Sequence, residues 1–478
     1  MQVSEGNLRH NNLCHTVQLM DQRLRGAATS LALIVIVALG LRVAFLWNYA
    51  AHNSKQALST IPFLFESGNI AYSVATGHGF SSPFRIDTGP TAWMTPVYPL
   101  ILAGIFRIFG TYTYGAFLAA VGINIASTTL ACISIFYAGK RIGGIGVAAG
   151  AAWLWAVFPN AIQIPATSMW DAPIAALLAA MILWATLALA ESKREARASS
   201  WIAYGLLWGF AVMTSATLAG LLPFLFGWLA YRRHKTGHAR LAKPALALVV
   251  AALCGVPWTV RNYEVFHAFV PLRSILGLQL WVGNNPQTTD RWLGGQHPIH
   301  DSAERAKYVN MGEIAYMREI EHDAIRYMAT HPARETHLIS HRFLAFWSGG
   351  TPNPVQDFFR TDSQWFRFVL VFNLAIAIGA AAGLIELIRK RSRYWFPLAV
   401  FSLVFPWAYY LTVVLPRYSL PVEPVAMLLT CVAVSDAVSL RRRAPAAALS
   451  GDAAVRTRRR YRDSTSDANA VASRGKLP

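Results

Sequence analysis

The feature that most constrains this chain is a series of apolar runs, each near the roughly 20 residues that carry a helix across a bilayer and most of them closed by Lys and Arg. In hydrocarbon every backbone polar group must bond within its own segment, so such runs fold as helices. The expected fold class is an all-α polytopic membrane protein. Only 14% of the residues are charged, against about 25% in soluble domains. The formal net charge of +19 would in another chain suggest nucleic acid. Here the basic residues fall at the ends of apolar runs, where they orient helices in the membrane. Membrane lipids are expected partners and nucleic acid is not.

The basic clusters also give a topology. Arg23 and Arg25 precede the first run, Ala27 to Trp47, which sets the N-terminus in the cytoplasm and reads as a signal anchor. Gly115 to Ala138 returns inward to Lys140 and Arg141. Ile145 to Ile162 and Trp170 to Ala190 follow as an outward and inward pair. The run Trp201 to Tyr231 has basic residues at both ends, so it is expected to be two short helices turning at Thr214 to Thr217. Ala245 to Trp258, Phe366 to Ile388, Tyr394 to Val414 and Pro421 to Val438 complete about ten crossings. Pro96 to Phe109 is apolar but short, and reads as a helix at the outer interface. The expected domains are a cytoplasmic tail (1–26), a transmembrane domain (27–440) with large extracytoplasmic loops at 48–114 and 259–365, and a basic, disordered cytoplasmic tail (441–478).

Chemistry is expected in the two outer loops. Glu66 is the one carboxylate between the first run and Asp87, set among Phe63, Leu64, Phe65 and Ile70. An acid against apolar groups near a bilayer is costly unless it has a partner or a purpose, although capping or ion pairing also explains one. Asp171, at the mouth of the fourth span, caps that helix or faces the same cavity as Glu66. Arg261, Arg273 twelve positions on, and Arg417 beside Tyr418 in the LPRYSLP turn are candidate anion contacts, because guanidinium suits bidentate phosphate binding. Arginines at such an interface also anchor lipid headgroups. In the second loop, Asp301 with Glu304 three residues on marks a capped helix start, and Tyr308, Met311, Ile314, Met317 and Ile320 recur at helical spacing until Pro332. HPIHD sets His297, His300 and Asp301 in a loose metal-ligand spacing that no further cluster supports. No phosphate-cradle, dinucleotide, nucleophile-elbow or zincin motif occurs.

With these residues in view, the chain resembles the membrane-embedded GT-C glycosyltransferases, in particular the family 39 and aminoarabinose-transferase-like branch. Glu66, Gly77, Gly79, Pro96, Tyr98 and Pro99 resemble that family's catalytic loop. SMWDAPIAALL, with Asp171, is similar to its second acidic motif, GLLWGFAVMTSATLAGLLPFL to its paired short helices, and LPRYSLPVEP, with Arg417 and Tyr418, to its late Arg-Tyr-Pro segment. The resemblance implies a hexosyl or pentosyl transferase that moves a sugar from a polyprenyl-phosphate donor to a lipid, glycan or protein acceptor, outside what is expected to be a bacterial inner membrane. Glu66 is then the general base, with Asp171 the second catalytic acid. Arg261, Arg273, Arg417, Tyr418, Asp87 and Tyr98 are the implied substrate contacts. A divalent cation needs a second acid near Glu66, from Asp171 or Asp87; whether one takes part is left open. The family commonly has adjacent acids in the first loop and a lysine in the paired-helix motif, where this chain has Phe65-Glu66-Ser67 and Ser215. The competing readings are a transporter or flippase of lipid-linked saccharide, and a scaffold without activity. The first expects ionisable residues along a membrane path, whereas here the polar groups gather in loops; the second predicts that Glu66 is dispensable.

Overall fold

The computed structural model describes Gly26 and residues 28–192, 195–235, 242–289 and 296–439. The expected N-terminal tail (all but Gly26) and C-terminal tail lie outside the described residues. Apart from one isolated bridge, Ser81 to Pro90, regular structure among the described residues is helical.

Helix α1 (Leu31–Ala51) leads into the first loop, which carries α2 (Lys55–Thr60), α3 (Glu66–Ala75) and α4 (Val97–Phe109). The next element, α5 (Tyr114–Val157), is two helices joined at a kink. Gly143 and Gly144 leave helical geometry there, Gly144 with φ of +77°, a conformation that costs a side-chain-bearing residue strain. The chain continues through α6 (Pro159–Thr167), α7 (Ala172–Ala190), α8 (Ala198–Thr214), α9 (Leu222–Lys235) and α10 (Ala242–Phe266). The second loop holds α11 (Leu276–Gly283), α12 (Ser302–Met311), α13 (Glu313–Thr330), α14 (Pro332–Ser348) and α15 (Pro354–Arg360). After it come α16 (Gln364–Arg389), α17 (Trp395–Tyr410), with a π turn at Val400–Val404, and α18 (423–439).

Helical segments therefore occupy each stretch expected to span. Among the described residues, five helices are by length and composition long and apolar enough to cross a membrane: α1, α5, α7, α10 and α16. Of the apolar window in α7, 72% is buried inside the protein, against 17% in α1 and in α10, so α7 is central and the other two present apolar faces outward. A charge inside α1 is absorbed by the fold. Arg42 is fully buried, and its guanidinium donates to Thr128 Oγ1 (2.9 Å) and to the Ala38, Ala156 and Trp155 carbonyls. Two of those carbonyls lie in the last turn of α5, where carbonyls outnumber the helix's own donors; that of Trp155 also accepts from Phe158 N at 3.3 Å.

The paired short helices turn at Thr214 as expected, through an extended Ser215 and a 3₁₀ segment, Ala216–Leu221; two other local expectations change. The periodic stretch from Asp301 to Pro332 is two helices, because Gly312, with φ of +79°, breaks it. The span expected to end at Trp258 continues as α10 to Phe266, past Pro257 and through polar residues. Arg261 thus sits on a helix and not in the second loop.

Candidate functional site

Both loops meet at one end of the helical bundle. The tie is Glu313, the first residue of α13 and buried. One carboxylate oxygen accepts from Ala92 N (2.8 Å) and Ser274 Oγ (2.6 Å), the other from Thr91 Oγ1 (2.5 Å) and Tyr308 Oη (2.6 Å). A buried carboxylate is stable when its lone pairs are filled in this way. Arg261 completes the tie: it donates to the Thr91 and Phe80 carbonyls, both at 2.7 Å, and lies against the rings of Phe80, Trp258 and Phe266. Its hydrogen bonds fasten the first loop, and it does not line the cavity described below.

Glu66 opens α3 after an extended Phe65. The turn before it packs so closely that a Cβ on Gly68 would overlap the Phe63 carbonyl. Ser67 Oγ donates to the Met169 carbonyl (2.8 Å), which fixes α3 against the segment before α7, and Asn69 donates to the Pro83 carbonyl (2.8 Å), which ties α3 to the rest of the first loop. Glu66 is buried, with Oε1 3.4 Å from His297 Nε2. His297 packs edge-on against Phe84 and Trp93. Its Nδ1 accepts from the Ile299 N–H (3.2 Å), so the neutral ring carries its proton on Nε2, facing Glu66. Burial pushes His297 down to about 3, with His300 adding to the effect. Burial raises Glu66, opposed by its own backbone N–H and by Arg417. The pair is a neutral imidazole donor facing a carboxyl group of heightened proton affinity.

Arg417 links this pair to a cavity of about 180 Å³ lined by Asp171, Ser215, Thr217, Arg273, Tyr409, Arg417 and Tyr418, among others. Asp171 precedes α7 but makes no side-chain capping bond, so of the two expected roles the side chain takes the one that faces the cavity. Burial raises its pKa, and Arg273, a hydrogen bond from Ser215 and Arg417 draw it back. Arg417 lies 4.0 Å above the Trp170 ring and 5.1 Å from that of Tyr418, and its buried Nε has no partner. Tyr418 stacks on Tyr409, whose hydroxyl reaches Thr217 Oγ1 (3.1 Å). Arg273 stands exposed at the rim. The turn bearing Arg417 is braced from below: Ser419 Oγ and Asn160 Nδ2 donate to Glu423 Oε1 at 2.6 and 3.3 Å.

The structure thus gathers Glu66, Asp171, Arg273, Arg417 and Tyr418, and leaves out three expected contacts. Arg261 is spent on the loop tie. Asp87 is exposed, and its Oδ1 accepts from Ser82 Oγ and Gly89 N, closing a surface turn. Tyr98 is buried, with its hydroxyl 3.5 Å from Asn124 Nδ2, behind the Asp171 segment. Asp301 caps α12 through Ala303 N and Glu304 N, and no group of three His, Cys, Asp or Glu side chains suited to a metal forms among the described residues. Sequence reasoning missed Glu313, Glu423 and the role of His297. HPIHD marked His297 for the wrong chemistry, and Glu423 stood unassigned in LPRYSLPVEP.

Residues 93–260 match the family described as dolichyl-phosphate-mannose-protein mannosyltransferase. No curated protein matches the chain by sequence. Among solved structures, the fold is similar to the Archaeoglobus fulgidus oligosaccharyltransferase in complex with Zn and sulfate, with a TM-score of 0.51 and 12% identity over 86% of this chain and 50% of that one. It is similar as well to archaeal oligosaccharyltransferase AglB from Archaeoglobus fulgidus in complex with an inhibitory peptide and a dolichol-phosphate, with a TM-score of 0.51 and 13% identity over 87% of this chain and 51% of that one. The chain spans about half the length of these structures. A helical membrane bundle, paired loops at one end and a match to a lipid-phosphate-dependent transferase family agree: this is a multi-pass membrane protein with the fold of the GT-C glycosyltransferases.

Proposed function

We propose that this protein transfers a sugar from a polyprenyl-phosphate donor to an acceptor hydroxyl, in the bacterial inner membrane with the site facing outward. The observation that carries the reading is geometric: Asp171, Arg273 and Arg417 line one cavity, and Arg417 also lowers the proton affinity of the buried Glu66 beside it. In the proposed step the acceptor oxygen attacks the anomeric carbon as the bond from that carbon to the phosphate oxygen breaks, with inversion. Glu66 takes the hydroxyl proton. Arg273 and Arg417 receive the charge that grows on the leaving phosphate, and the lipid phosphate departs as the second product. His297 donates toward the Glu66 carboxylate and holds its orientation. Asp171 and Ser215 keep the arginines in place before donor arrives. The dolichol-phosphate of the archaeal enzyme supports a lipid-phosphate donor, and the acceptor is a lipid, glycan or protein.

The test is steady-state transfer with the donor varied, comparing wild type with Arg417→Gln and Arg273→Gln. Loss of one charge-assisted phosphate contact is expected to raise the donor KM about tenfold. A donor KM unchanged in both variants, in folded preparations, removes the phosphate-binding assignment.

A further inference from the structure

A groove of about 620 Å³ runs between α9 and the start of α17. One wall is a stripe of α9 in which Phe224, Trp228 and Arg232 recur at every fourth position and so share a face, with the open Gly227 between them. The other wall is Trp395, Phe396 and the turn from Arg391 to Arg393. Thr217 and Tyr409, on the same two arms of the chain, line the arginine cavity. At 1.5 Å per residue, Arg232 and Trp395 each lie roughly 20 Å from it along the helices, at the far end of the bundle. The groove is apolar toward Phe224 and basic toward Arg232, and no acid is among its lining residues. Arg393 is already held, by Glu191 Oε1 (3.0 Å) and Tyr394 Oη (2.7 Å). The guanidinium groups of Arg232 and Arg391 have no hydrogen-bond or ion-pair partner among the described residues. The neighbouring acids are engaged elsewhere: Glu191 also by Arg141 (2.7 Å), and Glu386 and Asp436 by Lys390 at 3.2 and 2.7 Å. Arg391 follows the last turn of α16 at φ of +50°, a position that glycine ordinarily takes.

We propose that this groove binds an anionic phospholipid of the leaflet opposite the arginine cavity, with its phosphodiester on Arg232 and Arg391 and an acyl chain along Phe224, Gly227 and Trp228. The site stands apart from the transferase reading, since none of its residues lines the arginine cavity. With that cavity facing outward, the groove opens at the cytoplasmic leaflet, whose anionic lipids fill basic pockets between helices. A soluble anion leaves the aromatic half of the groove exposed, and a zwitterionic lipid brings its own cation to two unpaired arginines. An anionic phosphodiester on an acyl chain matches both ends.

The test is native mass spectrometry of the full chain in neutral detergent, titrated with dioleoyl phosphatidylglycerol and, in separate arms, with dioleoyl phosphatidylcholine and a polyprenyl phosphate. Wild type is expected to take up phosphatidylglycerol saturably and about tenfold more tightly than phosphatidylcholine. Arg232→Gln and Arg391→Gly are each expected to weaken it about tenfold. Arg391→Gly removes the charge while easing the backbone, so its melting temperature in lipid-free detergent should not fall and the lost affinity is not a folding defect. Gly227→Leu, whose Cβ meets nothing within 4 Å, blocks the acyl half and should weaken binding with both arginines in place. Unchanged affinity in Arg232→Gln and Arg391→Gly overturns the proposal, as does equal binding of phosphatidylcholine. Tighter binding of polyprenyl phosphate, lost in the same two variants, overturns it as well and assigns the groove to that lipid.

Discussion

Replacing Glu313 by Ala removes the acceptor shared by four donors and is expected to loosen the junction of the two loops. Three of the donors, the hydroxyls of Thr91, Ser274 and Tyr308, can turn to other acceptors; the Ala92 N–H cannot. Hydrogen bonds to a charged group contribute about 1.5–3 kcal/mol each, and a buried donor left unpaired costs about 1–3 kcal/mol. These terms share one network and do not add, so a local loss of roughly 3 kcal/mol is expected, about a hundredfold in the opening equilibrium. Hydrogen exchange at Ala92 and at Ser274, whose N–H bonds the Ala92 carbonyl at 2.9 Å, reads that opening directly. Glu313→Ala should lower protection there about a hundredfold and Glu313→Gln about tenfold, since the amide keeps one oxygen. Protection in the middle of α7 should not change. Equal protection at residues 91–94 in all three proteins would refute the claim that this carboxylate joins the loops.

Three further outcomes follow from the same geometry. Because burial raises the Glu66 pKa, activity should rise with pH through a value above the ordinary glutamate range, and His297→Phe, which removes the donor to its carboxylate, should move that limb further up; a pH profile unmoved by the substitution would count against the pairing. The same shift has the opposite sign for stability: the contribution from a protonated Glu66 is complete below its unfolded pKa and is lost as pH rises through the raised folded value. Glu423→Ala frees Ser419 beneath Arg417 and should raise the donor KM about fivefold, with Glu423→Gln near wild type; equal effects of the two would point to the charge rather than the brace. Gly68→Ala forces a Cβ into the Phe63 carbonyl and should destabilise the first loop by roughly 3 kcal/mol, seen as rapid proteolysis between residues 60 and 90, and a loop as resistant as wild type would contradict the packing.

What could be read from sequence was local. Apolar runs and basic clusters marked where helices lie, the double-ended charge of Trp201 to Tyr231 placed the turn at Thr214, and Asp301 with Glu304 marked a cap that the structure forms. Hydrophobicity failed where a helix outlasts its apolar run: α10 continues through Thr259 to Phe266, which carries Arg261 away from the cavity and onto the carbonyls of Thr91 and Phe80. Periodicity failed at Gly312, because a single positive φ leaves the spacing of apolar residues almost unchanged. The site was half legible. Glu66 and Arg417 stood out as charges against the local trend. The donors to Glu313 come from as far as 222 residues away, and the meeting of His297 with Glu66 joins the two loops. Neither contact leaves a trace in spacing.

The central claim is that Glu66 is the proton acceptor in sugar transfer, and the most direct measurement compares wild type with Glu66→Gln in transfer from radiolabelled polyprenyl-phosphate sugars to membrane acceptors. The amide keeps the size of the side chain but cannot take a proton. The account predicts that Glu66→Gln still binds donor and loses about a hundredfold or more in transfer rate, whereas transfer by the variant at the wild-type rate would contradict it.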